Sequence, residues 1–252
     1  MTTHCTHHSQ CPECARIGHD RDGNNLAVYS DGSCWCFRCG YLVSASGIKK
    51  LQGTVVRPTR EIVLPRDVDE NLPTKAWSYL GNYELTPHDV LLNTILWSQD
   101  QQRLIFPYFD STGLLGWQGR YLGDGSNGFA PKAKWFGRGK LEQMLHLIGN
   151  RQGRSCILTE DTISAIKVAH NPYICASPIL GSHISTNRLL RLKLLFDTIY
   201  IWLDKDKQKE AVQFSRTAQL LGLNSSVIIT DTDPKEHTDN QIKDILDGFT
   251  TT

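Results

Sequence analysis

CILTED (156–161), TIYIWLDKD (198–206) and SVIITDTD (226–233) share one pattern, a short apolar run that ends in carboxylates. Between the runs lie helix-like stretches, TISAIKVAH (162–170), TNRLLRLKLLF (186–196) and KEAVQFSRTAQLLG (209–222), with a further strand candidate, YICAS, at 173–177. Short apolar runs alternating with helical periodicity predict parallel strands joined by crossover helices. In an open parallel sheet, reactive groups collect at the carboxyl ends of the strands. Glu160, Asp204 and Asp206 are therefore expected around one crevice, and Asp231 and Asp233 close a third strand. Alternation along an extended chain would turn Asp204 and Asp206 to the same side.

Clustered carboxylates repel one another unless cations neutralise them, and hard oxygen donors suit magnesium or manganese. An ion held there can activate a 3′-hydroxyl, orient a triphosphate and stabilise departing pyrophosphate. The competing reading is that acids after strands are helix N-caps, for which Asp161 and Asp204 are candidates.

Upstream, RLIFPYF (103–109) and LLGWQGRYL (114–122) form strand candidates around the turn DSTG. AWSYL and HDVLLNTIL read as helices, the second opened by Thr86 and Pro87 as cap and first turn. The stretch SNGFAPKAKWFGRGK (126–140) carries Lys132, Lys134, Arg138 and Lys140 without an acid. In a chain of net charge +1, such a local run is read as a phosphate-binding surface, against the alternative of a solvated loop. Asn127, Gly128 and Gly137 would let backbone approach phosphate closely. The segment GRGK (137–140) has neither the spacing nor the Ser/Thr of a P-loop.

Six of the eight cysteines fall within the first forty residues. CPEC (11–14) and CFRC (36–39) pair two CxxC knuckles, each turning two sulfurs towards one point, so Cys11, Cys14, Cys36 and Cys39 are assigned to structural zinc. Cys5, His7, His8 and Cys34 are read as spare surface residues, with a ligand swap through His8 or Cys34 as the alternative. Tyr29, Trp35 and Phe37 beside Arg38 either stack on bases or form the small lobe's core, and Phe37 is expected in the core. Strand-like runs are expected at Leu26–Tyr29 and Trp35–Phe37.

The organisation expected is thus a zinc ribbon over 1–43, a linker over 44–66, a basic mixed α+β subdomain over 67–153 and an acidic α/β subdomain with a mostly parallel sheet over 154–252. With 40% hydrophobic and 21% charged residues, no membrane-length apolar run and no secretory leader, a soluble cytoplasmic protein is the default.

These residues resemble a known family. CILTED followed by YIWLDKDK and TDTDPKE resembles the TOPRIM domain. CPEC…DGNNLAVYSDGSCWCFRCG resembles the zinc ribbon of phage and bacterial DNA primases, and IFPYFDSTGLLGWQGRYLGDG with APKAKWF resembles their basic N-terminal subdomain. The resemblance runs in order over nearly the whole chain. It implies template-directed synthesis of RNA primers on single-stranded DNA from ribonucleoside triphosphates, in host cytoplasm if phage-encoded. By the same resemblance, Glu160, Asp204 and Asp206 would be the catalytic acids and, with Asp233, hold magnesium or manganese. Arg120 and Lys134 would meet template or nucleotide phosphates, and Gly181 would lie in a small-residue loop near the site. Two positions depart from the pattern. Ser164 stands where phage-type relatives often carry a second acid, leaving Asp161 as substitute, and Ser33 follows Asp31-Gly32 where close phage relatives have histidine. No helicase motor is recognised, so the protein would work alone or recruit a separate replicative helicase. The rival functions are a TOPRIM nuclease, which would degrade DNA, and a non-catalytic zinc-ribbon replication factor.

Overall fold

The computed structural model describes residues 3–45, 49–50, 61–110, 112–124, 133–141, 144–181 and 183–250, with backbone only at 49–50 and 250. The chain divides into two compact units, Met1–Glu61 and Ile62–Thr252.

The first unit is an antiparallel sheet in sequence order: β1 (Cys5–Ser9), β2 (Leu26–Tyr29), β3 (Cys34–Cys36), β4 (Leu42–Val43) and β5 (Lys49–Lys50). One helical turn, α1 (Pro12–Arg16), carries the first knuckle. Strand β5 falls in the stretch expected as linker and pairs with β4, so the ribbon's sheet extends beyond residue 43. Among the described residues, the ribbon's buried apolar side chains are only Leu26, Ala27 and three cysteines. Phe37, expected in this core, is 52% exposed: β3 ends at Cys36, and Phe37 lies in the knuckle loop.

The second unit contains two sheets. The first, all antiparallel, is built from β6 (Val68–Asp69), β7 (Leu96–Ser98), β8 (Arg103–Asp110), β9 (Gly113–Tyr121) and β10 (Trp135–Gly139), preceded or interrupted by α2 (Thr74–Gly81) and α3 (Pro87–Leu92). Thr86 caps α3 in a reciprocal box with Asp89, as the Thr-Pro start predicts. The helix is shorter than HDVLLNTIL suggested, because Thr94 turns left-handed (φ 51°) and Leu96–Ser98 joins the sheet. Pro107 is tolerated inside β8 because β7 covers only Arg103–Ile105, leaving that edge open beyond. Ile62 and Leu64, also from the expected linker, pack under this sheet, and Trp117 Nε1 donates to the Val63 carbonyl (3.0 Å). Lys132, Asn127 and Gly128 lie outside the described residues.

The second sheet is β11 (Ile148–Gly149), β12 (Ser155–Thr159), β13 (Cys175–Pro178), β14 (Thr198–Ile201) and β15 (Asn224–Val227), in spatial order β11-β13-β12-β14-β15. All neighbours are parallel except the β11 edge, so the sheet is mostly parallel as expected. Alternation sorts its side chains: Ile157, Tyr200 and Trp202 pack with α4 (Thr162–Val168) and α7 (Asp239–Thr250). On the opposite face Leu158, Ile199 and Ile201 pack with α5 (Thr186–Leu195) and α6 (Gln208–Leu220). The first of these cores continues into the antiparallel sheet through Leu104, Phe106 and Tyr108, and Tyr108 Oη meets Thr162 Oγ1 at 2.8 Å.

Trp202 is fully buried just before the acidic end of β14, and its Nε1 donates to Thr230 Oγ1 (2.8 Å). Trp202→Ala is expected to lower unfolding free energy by about 3–5 kcal/mol, as for other buried aromatic truncations. Urea titration of both proteins measures it.

Candidate active site and metal centre

The four cysteines converge. Cys11 and Cys39 sulfurs are 3.6 Å apart and Cys14 and Cys36 sulfurs 3.7 Å, and all four ligand atoms lie within 4.8 Å of one another. Gly40 takes a left-handed turn (φ 73°) and donates its N–H to the Cys36 carbonyl (3.1 Å), folding Cys39 back over Cys36. Burial pushes the Cys36 thiol up, but the N–H groups of Cys39 and Arg38 outweigh it and bring the thiol down to about 7. Cys14 is raised, chiefly by burial and then by the other thiols around it. A crowded, partly buried set of four thiols fits zinc, which would hold them as thiolates. Asp20, unremarked in the sequence, braces this centre: it is 3% exposed and accepts the Cys11 N–H (2.5 Å) and the Asn24 N–H (3.1 Å). Phe37 contacts Trp35 edge-on (4.9 Å) and His8 (5.3 Å), forming a partly exposed aromatic patch.

In the second unit, a cavity of about 570 Å³ opens at the carboxyl ends of the parallel strands. Glu160, Asp161, Asp204, Asp233 and Gly181 line one side of it, and Arg120 and Lys134 line the other. The chain thus brings together acids from three strand ends and two of the basic residues singled out in the sequence.

Each acid is held differently. Asp161 caps α4 through Oδ1, accepting the Ser164 N–H (2.8 Å), while its Oδ2 faces Lys235 (3.2 Å). It is a cap and a site carboxylate together. Asp204 follows β14 without capping the next turn; Oδ2 pairs with Lys235, and Oδ1 is buried without a partner among the described residues. Glu160 Oε2 is also buried and unpartnered. Asp233 accepts the Lys205 N–H (3.1 Å) and caps the short turn Pro234–Glu236. Asp231 is exposed and does not line the cavity.

Asp206 is the principal departure. The chain leaves extended geometry at Lys205–Lys207, which forms a 3-10 turn, so alternation no longer applies there. Asp206 is 77% exposed at its side chain and is not in the cavity wall. Its charge is still felt, since Glu160 is raised first by burial, then by Asp161 and Asp206. Among the described residues, the cysteines are the one group of three or more metal-type side chains whose ligand atoms lie within 4.8 Å of one another; the carboxylates stand further apart. The two orphaned oxygens, Glu160 Oε2 and Asp204 Oδ1, nevertheless give a divalent cation hard donors inside a polar cavity.

The basic stretch is not a loop throughout, because residues 135–139 are the edge strand β10. Alternation splits the cations of β9 and β10. Arg120 pairs across strands with Trp135, and its guanidinium lies 5.5 Å from that ring and 5.1 Å from Tyr79. Arg138 pairs with Trp117 on the opposite face and stacks on Phe136 (5.0 Å), and neither it nor Lys140 lines the cavity. Lys235, Glu236, Gln118, Tyr79, Tyr83 and Trp135 complete the cavity wall, and the sequence singles out none of them. Lys235 and Glu236 sit in an ordinary charged turn, and the others look like strand or helix surface until the sheets are placed together.

Gly181 stands in the turn after β13, where a Cβ would meet nothing within 4 Å. Its neighbour Leu180 is strained into the left-handed region (φ 60°), with Leu180 N–H donating to the Glu160 carbonyl (3.3 Å). The turn is thereby tied to the strand end that bears Glu160.

No family model and no curated protein matches this chain. Solved structures do. The zinc-binding and RNA polymerase domains of Aquifex aeolicus primase align over 98% of this chain and 78% of theirs, at 15% identity and TM-score 0.52. The primase fragment of the bacteriophage T7 primase-helicase protein aligns over 97% of this chain and 99% of its own, at 14% identity and TM-score 0.52. A DnaG primase catalytic domain bound to single-stranded DNA aligns over 69% and 71%, at 15% identity and TM-score 0.54. The chain has the fold of DnaG-type primases.

Proposed function

We propose that this protein is a DNA primase, joining ribonucleotides into short primers on a single-stranded DNA template by divalent-metal-dependent nucleotidyl transfer. The observation that carries the reading is the cavity itself: carboxylates at the ends of parallel strands face Arg120 and Lys134 from the antiparallel sheet. That juxtaposition pairs a metal-type donor set with a phosphate-type one, as phosphoryl transfer requires. The subdomain division at 153/154, the TOPRIM assignment and a cytoplasmic setting belong to the same proposal, as does the choice between working alone and recruiting a separate helicase. Among the described residues, no helix is long and apolar enough to cross a membrane.

Glu160 and Asp204 would hold magnesium or manganese, with Asp233 nearby and Asp206 reaching in only after its turn rearranges. When bound, such an ion lowers the pKa of a 3′-hydroxyl and offsets charge on the triphosphate. Arg120, clamped between Tyr79 and Trp135, presents a fixed cation to phosphate, and Lys134 adds an exposed one. The transfer forms a bond from the 3′-oxygen to the α-phosphorus, while the α–β bridging oxygen leaves with pyrophosphate. The ribbon, with its partly exposed Trp35 and Phe37, would grip template by stacking.

Purified protein incubated with single-stranded DNA of varied sequence, labelled ribonucleoside triphosphates and magnesium or manganese should yield oligoribonucleotides. No product across templates and both metals would overturn the reading, and degradation of the DNA would favour a nuclease.

A pH dependence follows from Asp204. Burial, reinforced by Asp161 and Asp233 and opposed by Lys235, pushes its carboxyl up to about 7. An incoming cation must therefore displace a proton below that pH. Manganese affinity is expected to vary little above pH 7.5 and to fall about fivefold from pH 7 to 6, approaching about tenfold per pH unit only below that range. Calorimetric titration across that range measures it.

A further inference from the structure

The acidic cavity holds a cation of its own. Lys235 Nζ lies 2.8 Å from Asp204 Oδ2, 3.1 Å from Asp233 Oδ2 and 3.2 Å from Asp161 Oδ2, and its side chain is only 11% exposed. The three acids come from separate segments: the cap of α4, the end of β14 and the turn beyond β15. One ammonium thus gathers carboxylates that would otherwise repel one another.

Asp204 divides its two oxygens. Oδ2 is taken by Lys235, whereas Oδ1 is buried and unpartnered, as is Oε2 of Glu160. The cluster therefore has a filled half and an open half, with the Asp204 carboxylate shared between them. This is the placement of a bridging carboxylate in a two-cation site, with an ammonium on one side.

We propose that Lys235 is a built-in cation that fills one of two cation positions in this site, leaving the Glu160 Oε2–Asp204 Oδ1 side to take a single divalent ion. The inference rests on the metal-dependent reading of the cavity and is independent of whether the product is a primer. The free donors support one ion: Lys235 takes Asp204 Oδ2 and also faces Asp161 and Asp233, which leaves Glu160 Oε2 and Asp204 Oδ1 as the buried carboxylate oxygens open to a metal. An ammonium has no vacant coordination position and cannot activate a hydroxyl as a metal does. Lys235 is accordingly a positioning residue, which fixes the Asp204 carboxylate and with it the place of the divalent ion.

The test is a manganese titration of the full zinc-loaded chain without template or nucleotide, read by the electron paramagnetic resonance of free and bound manganese. The native protein should bind one ion per chain with no spin-coupled pair. Lys235→Met, neutral and of similar length, should bind two ions that couple magnetically, while Lys235→Arg, which keeps the charge, should bind one. Two coupled ions in the native protein would overturn the proposal, as would no bound ion at all, or one ion at unchanged affinity in Lys235→Met. If that variant fails to fold, the count and coupling in the native chain still decide. Loss of the primase reading would leave the manganese count unaltered, so the two failures are separable.

Discussion

Asp204→Asn is expected to reduce primer synthesis on the order of 1,000-fold, about 4 kcal/mol of barrier, without weakening the fold. The side chain is nearly isosteric, so Lys235 keeps Asp161 and Asp233 and the end of β14 is undisturbed. What disappears is the anionic Oδ1, one of two buried carboxylate oxygens in the cavity with no partner among the described residues. The stability side has a definite sign. The folded carboxyl titrates at about 7, above the roughly 4 of an unfolded aspartate, so the unfolded chain releases its proton first as pH rises. Stability is therefore lost between about pH 4 and 7, and asparagine, which never ionises, escapes that loss. At pH 8 the variant should be at least as stable to urea as the parent in metal-free buffer. Primer yield and urea midpoint measured on the same preparation check both halves. Near-normal yield would remove Asp204 from the chemistry, and a large stability loss would make it merely structural.

The second large effect concerns the ribbon. Cys36→Ser should abolish zinc binding and unfold the first unit while the second stays native. Among the described residues the ribbon's buried apolar side chains are Leu26 and Ala27 with Cys11, Cys14 and Cys36, too little apolar surface to offset the entropy of ordering its chain. Structural zinc contributes on the order of 10–16 kcal/mol in comparable small sites, so removing a ligand removes most of the folding drive. Cys36 is also the sulfur that accepts the Cys39 N–H (3.5 Å) and carries the thiol lowered to about 7, the one best prepared to be a thiolate. Hydrogen exchange by mass spectrometry should show residues 3–45 exchanging as an unfolded chain and residues 155–246 retaining native protection, with zinc content falling from one per chain to none. A protected ribbon without zinc would show that its sheet alone suffices.

The parallel sheet was legible because its strands are short apolar runs and its helices have clear periodicity, both local properties of the chain. The zinc centre was legible for a similar reason, since each CxxC knuckle is closed within four residues. Local pattern misleads where the backbone changes geometry. Alternation alone would turn Asp204 and Asp206 to one side, but the chain enters a 3-10 helix between them and leaves Asp206 in solvent. The basic run around residue 135 read as one surface, but as edge strand β10 it sends Trp135 towards the cavity and Arg138 to the opposite face.

The sequence by itself determined the order of elements, the four thiolates and the acids that end the strands, because each depends on residues close together in the chain. Only the tertiary structure decided which charges share the cavity. Lys235 reaches Asp161, 74 residues away, and Arg120 and Lys134 face Glu160 because two sheets share one core. Long-range pairing of charges follows from how those sheets pack, and no local spacing encodes it.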